Sequence, residues 1–403
     1  EGVLKMSMGN EIGFAYNPEI TLDEIFGYGY GSFLVEIDRT ALAALADEDK
    51  KKVKAAFEAC AECKVLGETT EAFEVSYGTE IIDLSKLCGF YEDKLESVYP
   101  CNLNLKKAQG ADDSRIKPVE TLTCPACSEV FNARIKNPLP RVLIPVFPGT
   151  NCEYDTAKAF RGAGAEPEIF VINNLNASEV ARSIASFAAK VRESQMIFIP
   201  GGFSGGDEPD GSGKLITAFF RNQEIREAVT ELLEERDGLM AGICNGFQAL
   251  IKLGLVPFGK IIDTDGTCPT LTYNRIGRHQ SKLVQTRIVS NKSPWLAGVQ
   301  PGQVYTVPIS HGEGRFMASD ELLRKMADNG QIITQYVDMK GEATMDIQFN
   351  PNGSDWAVEG IVSPDGRVLG KMGHSERIGA GLYQNVPGEF DMQMFASAVK
   401  YFK

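Results

Sequence analysis

A cysteine with one glycine two residues before it and another two residues after it stands in Gly242-Ile-Cys244-Asn-Gly246. A short apolar run, Leu239 to Ile243, leads into it, and helix-forming residues, Phe247 to Leu253, follow at once. This is the pattern of a strand-to-helix elbow with a nucleophile at its apex. The glycines serve a turn too tight for a Cβ at those points. A sulfur placed there meets a helix N-terminus, whose dipole favours thiolate over thiol. For a lone cysteine, a buried place at a strand end is the better reading. Both glycines and the strand–helix context shift the balance to a nucleophile.

A cysteine nucleophile needs a base, and the base needs a group to orient it. The chain has three histidines, His279, His311 and His374. His279 lies among Arg278, Gln280 and Lys282 and reads as solvated, whereas His311 lies in the glycine turn SHGEGRF. His374 has Glu376 two residues on. In extended backbone the two face one side, so Glu376 can steer His374 to take the Cys244 proton. A surface His–Glu pair is the plain alternative. The Gly-rich stretch PGGFSGGDEPDGSGK, 200–214, fails the phosphate-loop pattern, because Leu215 follows Lys214. Its N–H groups near Gly202, with that of Asn245, can instead form an oxyanion hole. A flexible surface loop is the competing reading.

These residues need a sheet edge to hold them. From Arg141 the chain alternates strand, loop and helix. RVLIPVF (141–147), EIFVIN (168–173) and QMIFIP (195–200) read as strands, with helices over DTAKAFRGAG and over 178–191, the latter capped by Ser178. A long helix is expected from about Lys214 to Glu235. The repeat predicts an α/β fold with a doubly wound, mainly parallel sheet whose ligand edge carries the loops after Phe147, Pro200 and Ile243. Turns and short strands are expected from Lys260 to Gly360.

Residues 1–105 read as a smaller α+β domain. A strand is expected at 31–37, a helix from Asp47 to about Cys63 with Val53, Ala56, Phe57 and Cys60 inward, and a hairpin around 73–85 turning near Gly78. Gly27, Gly29 and Gly31 precede a strand, the wrong order for a dinucleotide fingerprint. The polar, proline-bearing stretch 106–140 is expected to be a linker before the domain 141–403. Its Cys124 and Cys127, with Cys60 and Cys63, make two C-x-x-C pairs. Their spacing suits incidental thiols better than zinc, and no metal site is expected.

The formal net charge of −13 argues against nucleic acid as a main partner. No apolar run approaches a membrane span. Nine cysteines without a basic, apolar leader point to a reducing, cytoplasmic compartment. The opening EGVLKMSMGNEIGF lacks an initiating Met, as a fragment or processed product would.

FPGTNCE (147–153), IPGGFSGGDEPDG (199–211), GICNGFQAL (242–250), SHGEGRF (310–316), NPNGS (350–354) and GHSER (373–377) together resemble the class I (triad) glutamine amidotransferases. Within them the resemblance is to the glutaminase domains of phosphoribosylformylglycinamidine synthases. It implies a flavodoxin-like fold and a Cys244–His374–Glu376 triad. It also implies an oxyanion hole of Gly202 and Asn245, and glutamine contacts from Gly149, Asn151, Gln248, His311 and Arg315. L-glutamine is the implied substrate. The glutaminase half-reaction is expected to need no cofactor. ATP and Mg are expected only in a synthetase portion, the ammonia acceptor, of which KMSMGNEIGF resembles a last piece. Where the family often has proline after the triad histidine, this chain has Ser375. A cysteine peptidase on the same elbow and a non-catalytic docking module remain as alternatives. A small pocket for a free amino acid, rather than an open groove, separates glutaminase from peptidase.

Overall fold

The computed structural model describes residues 1–29, 31–59, 63–94, 119–128, 130–205 and 213–403. The chain divides into two units, Glu1–Pro100 and Cys101–Lys403.

The first unit is built on a four-stranded sheet of β1 (Gly13–Tyr16), β2 (Gly67–Thr70), β3 (Glu74–Tyr77) and β4 (Glu80–Asp83), in the order β2-β1-β3-β4. The expected hairpin is β3–β4, turning at Gly78 with φ 61. The strand expected at 31–37 is irregular backbone instead. Among the described residues nothing pairs with it, and Phe33 is 92% exposed. An apolar run without a pairing partner does not hold strand geometry. The helix Asp47–Ala59 forms as expected, but its apolar face is not buried. Cys60 lies outside the described residues.

The second unit carries a nine-stranded sheet. Its strands are β5 (Arg141–Val146), β6 (Glu166–Val171), β7 (Met196–Ile199), β8 (Leu239–Ile243), β10 (Gln280–Ile288), β11 (Val304–His311), β13 (Ile332–Val337), β14 (Val358–Val362) and β15 (Val368–Lys371), in the order β11-β10-β13-β14-β15-β8-β7-β5-β6. A separate ribbon pairs β9 (Thr270–Tyr273) with β12 (Glu313–Met317). Pairing is parallel from β6 through β5, β7 and β8 to β15. It is antiparallel from β15 through β14, β13 and β10 to β11. The parallel half is the expected doubly wound sheet. β7 and β8 are buried along their whole length, as strands covered on both faces must be. The other half corrects the expectation for 260–360: that stretch holds the nine-residue β10 and the eight-residue β11.

Two helices depart from expectation through asparagine. The helix Ala177–Glu193 is capped by Asn176, not Ser178; the Asn176 Oδ1 accepts the Glu179 N–H at 3.0 Å. The helix expected from Lys214 to Glu235 breaks into Lys214–Phe220, Gln223–Thr230 and a π turn, Glu231–Glu235. Asn222 starts the second piece by accepting the Glu224 N–H at 3.0 Å, the local competition with helix that Asn side chains offer. The stretch expected to be a linker is described from Val119 onward, and there it is bound to the second unit. The Leu122 N–H donates to Gln335 Oε1 at 2.9 Å. The Cys124 N–H donates to Val289 at 2.8 Å, and Ala133 to Tyr401 at 2.9 Å. Among the described residues no helix is long and apolar enough to cross a membrane.

Candidate active site

The chain passes outward from β5 to β6 and returns on the other side of β5 as β7. That reversal opens a crevice beyond the carboxyl ends of β5 and β7, where doubly wound sheets take ligands. The loops after both strands meet there. Thr150 and Gly202 form an isolated antiparallel bridge. Phe203 donates its N–H to the Gly149 carbonyl at 2.8 Å, and Asn151 donates to Gly201 at 3.3 Å. β8, β15 and β11 all run in the same sense as β5, so Cys244, His374 and His311 are delivered to this one edge.

Cys244 occupies the apex of the elbow with φ 53 and ψ −109, backbone that costs a non-glycine residue roughly 1–3 kcal/mol. A Cβ on Gly242 would lie 2.6 Å from the carbonyl carbon of Gly246, and one on Gly246 only 2.1 Å from the Ile199 oxygen. The glycine pattern is therefore a packing requirement: the helix Asn245–Leu253 is pressed onto β8 and β7. The Cys244 N–H donates to the Lys371 carbonyl at 2.9 Å, which ties the elbow to the end of β15. Its thiol points at the Ser310 carbonyl at 3.7 Å and is 4% exposed.

His374 is fixed by its own N–H, which donates to Pro308 at 2.8 Å. Its Nδ1 lies 2.6 Å from Glu376 Oε1, with both side chains buried. Its Nε2 is buried and has no hydrogen-bond partner among the described residues. Burial alone opposes charge on this imidazole. The Glu376 carboxylate, helped by the Cys152 and Cys244 sulfurs near the ring, outweighs burial and holds the pKa well above the ordinary histidine range. A Cβ on Gly201 would sit 2.7 Å from His374 Cε1, 3.2 Å from Cys152 Sγ and 3.4 Å from Cys244 Cβ. The loop after β7 thus runs against the His374, Cys152 and Cys244 side chains.

Gly202, at φ 145, has no room for a side chain: a Cβ would lie 2.6 Å from the Gly149 oxygen. Among the described residues, neither the Gly202 nor the Asn245 N–H donates to a backbone carbonyl. For Asn245 this follows from its place in the first turn of a helix. The Asn245 side chain knits the two loops together. Its Oδ1 accepts the Ser204 N–H at 3.2 Å and its Nδ2 donates to Gln248 Oε1 at 3.0 Å. Residues 206–212 of this loop lie outside those described.

The other expected contact residues divide. Gly149 and Asn151 line the crevice, and Asn151 Oδ1 accepts from Cys152 Sγ at 3.0 Å. Gln248 is turned inward; its Nε2 donates to the Glu313 carbonyl at 2.6 Å, so its amide braces the elbow helix. His311 is buried with Nδ1 3.0 Å from Asn274 Oδ1. Burial, reinforced by the charge of His374 and His279, holds its pKa down at about 3, so it is neutral across the working range. Arg315 Nε donates to Gly353 at 3.1 Å, bracing β12 against the NPNGS loop.

The sequence reading passed over Cys152, Arg377, Lys371 and Glu359. Cys152 is buried, with Arg377 Nη2 at 3.0 Å from its sulfur and His374 Nδ1 at 3.9 Å. The signal available was a second cysteine inside a quoted motif, FPGTNCE. Cys152, His374 and Glu376 offer ligand atoms within 4.8 Å of one another. The Arg377 guanidinium against the sulfur places a fixed positive charge beside that group. Among the described residues no third ligand joins Cys124 and Cys127.

A cysteine at the apex of an elbow, beside a buried histidine–glutamate pair at the ligand edge of a doubly wound sheet, is the arrangement of the glutamine amidotransferase class. Residues 139–402 match the CobB/CobQ-like glutamine amidotransferase domain family. The chain is similar to the phosphoribosylformylglycinamidine synthase subunit PurQ of Methanococcus maripaludis, 33% identical over 66% of this chain and 98% of that one. It is also similar to the PurQ subunit of Treponema denticola, 38% identical over 59% of this chain and 87% of that one. Among solved structures, PurLQS from Thermotoga maritima aligns with a TM-score of 0.47 at 27% identity, covering 66% of this chain and 100% of that one. The chain belongs to the glutamine amidotransferase family that these PurQ subunits represent.

Proposed function

We propose that this chain is the glutaminase part of a phosphoribosylformylglycinamidine synthase and works by a Cys244 thioester. The observation that carries the reading is the Cys244–His374–Glu376 constellation at the crevice. The thiol proton passes to His374, and the sulfur attacks the side-chain amide carbon of L-glutamine. Gly202 and Asn245 N–H groups receive the oxyanion. His374 then gives its proton to the departing nitrogen, so ammonia leaves and a glutamyl thioester remains. Water, deprotonated by His374, breaks the thioester to release glutamate and restore the thiol. Gly149 and Asn151 contact the glutamine, while Gln248, His311 and Arg315 act from behind.

On this reading the ammonia goes to a synthetase portion, where ATP and Mg act on formylglycinamide ribonucleotide, and the N-terminal unit is a piece of that portion. The setting is cytoplasmic, which suits the described cysteines, all of them free. The test is glutamate release from glutamine, with a glutamine-analogue electrophile to mark the thiol. Release with a single adduct on Cys244 supports the reading. Neither release nor adduct in a folded sample overturns it.

A further inference from the structure

A lysine and a glutamate are buried together beneath the histidine loop, with side chains 1% and 0% exposed. Lys371 Nζ lies 3.2 Å from Glu359 Oε1 and donates to the Gly373 carbonyl at 3.1 Å and to Ser375 Oγ at 3.0 Å. The ammonium thus has an acceptor for each of its three protons. Glu359 is equally committed. Its Oε1 accepts the Gly373 N–H at 2.6 Å and its Oε2 the Thr334 hydroxyl at 2.5 Å. The pair therefore grips both backbone groups of the residue before His374 and the side chain of the residue after it. A Cβ on Gly373 would meet Val307 Cγ1 at 2.5 Å, Glu359 Oε1 at 3.0 Å and Lys371 Nζ at 3.2 Å, so a side chain there would crowd the pair. The carbonyl of Lys371 meanwhile holds the N–H of Cys244. One residue thus holds the nucleophile through its backbone and the base through its side chain.

Resting on the glutaminase reading, we propose that Lys371 and Glu359 are positioning residues that keep Cys244 and His374 in register. Ser375, the departure from proline, is the hydroxyl that completes the grip. A buried ion pair is a poor source of net stability, and apolar replacement of both partners is often neutral or stabilising. Its presence directly under the reacting pair is explained by geometry. A misplacement of the order of 1 Å costs such a pair on the order of 100-fold in rate.

The experiment compares the full chain with Ser375→Ala, Lys371→Met and the apolar double replacement Lys371→Met with Glu359→Leu. Four quantities are read: kcat and KM for glutamine, the pH profile of Cys244 alkylation by iodoacetamide followed by peptide mass, and the melting temperature. Lys371→Met is expected to lower kcat on the order of 10- to 100-fold with KM within about twofold. The double replacement is expected to melt near the wild type and stay slow, with a shifted alkylation profile. Ser375→Ala is expected to melt as the wild type does and to lower kcat severalfold. A double replacement that regains both melting temperature and kcat would mean a purely structural pair and overturn the proposal. If that protein does not fold, an unchanged kcat and alkylation profile in Ser375→Ala overturns it. Alkylation needs no glutamine, so a wild type that releases no glutamate sinks the glutaminase reading while the clamp is still decided.

Discussion

Gly201 faces His374 closely across the crevice: a methyl group on the glycine would lie 2.7 Å from the imidazole Cε1. The loop after β7 leaves no room for a side chain between itself and His374. Gly201→Ala is therefore expected to push His374 off its line to Cys244. The loss in kcat for glutamine hydrolysis should be on the order of 100-fold, with a melting temperature close to wild type. A variant with wild-type kcat would show that the contact relaxes freely.

Cys244→Ala is expected to abolish hydrolysis and leave the fold intact, since it removes one sulfur atom whose contact to the Ser310 carbonyl, at 3.7 Å, is long. Glu376→Gln is expected to lower kcat less than His374→Ala, because it disturbs orientation and charge while leaving the base in place. Turnover numbers in the reverse order would sink that assignment of roles.

The His374 pKa is raised mainly by the Glu376 carboxylate working against burial. Its contribution to stability is therefore complete below the ordinary pKa of about 6.5 and lost as pH rises through the raised folded value. Glu376→Gln should reduce that alkaline loss, and should move the alkaline limb of kcat/KM toward lower pH. Thermal melts and rate profiles from neutral to alkaline pH check both.

His311 runs the other way, because burial holds its pKa at about 3. The folded protein takes up its proton later than the unfolded chain, so stability falls as pH drops from about 6.5 toward 3. Within that window the slope from this one group is roughly 1.4 kcal/mol per pH unit. Urea melts of wild type and His311→Gln should show a shallower acid decline in the variant. Parallel declines would contradict the assignment.

Gly246→Ala would place a methyl 2.1 Å from the Ile199 backbone oxygen, which cannot yield as a side-chain tip would. A loss of about 3 kcal/mol or more is expected, together with collapse of glutaminase activity. Chemical denaturation measures the first and glutamate release the second.

The elbow was legible because its information is local: two glycines, one cysteine, a strand and a helix within one short stretch. The His374–Glu376 pairing was legible for the same reason. Lys371 and Glu359 were not, because each ends or interrupts an apolar strand, and in sequence a charge there reads as a boundary. The Arg377–Cys152 contact joins residues 225 positions apart, which no local pattern announces. β10 was missed because its burial alternates with polar residues, QSKLVQTRI, and such a strand in a mixed sheet reads as loop. The break at Asn222 shows one side chain overruling helix propensity on both sides of it.

β15 is the last strand of its unit in the chain, yet it lies in the middle of the sheet, between β14 and β8. During synthesis its two neighbours must wait with open edges until it emerges. Pairings of this sequence separation are slow to form. The same strand ends in the loop that bears His374. A nascent or prematurely stopped chain can therefore expose a cysteine but own no partner for it.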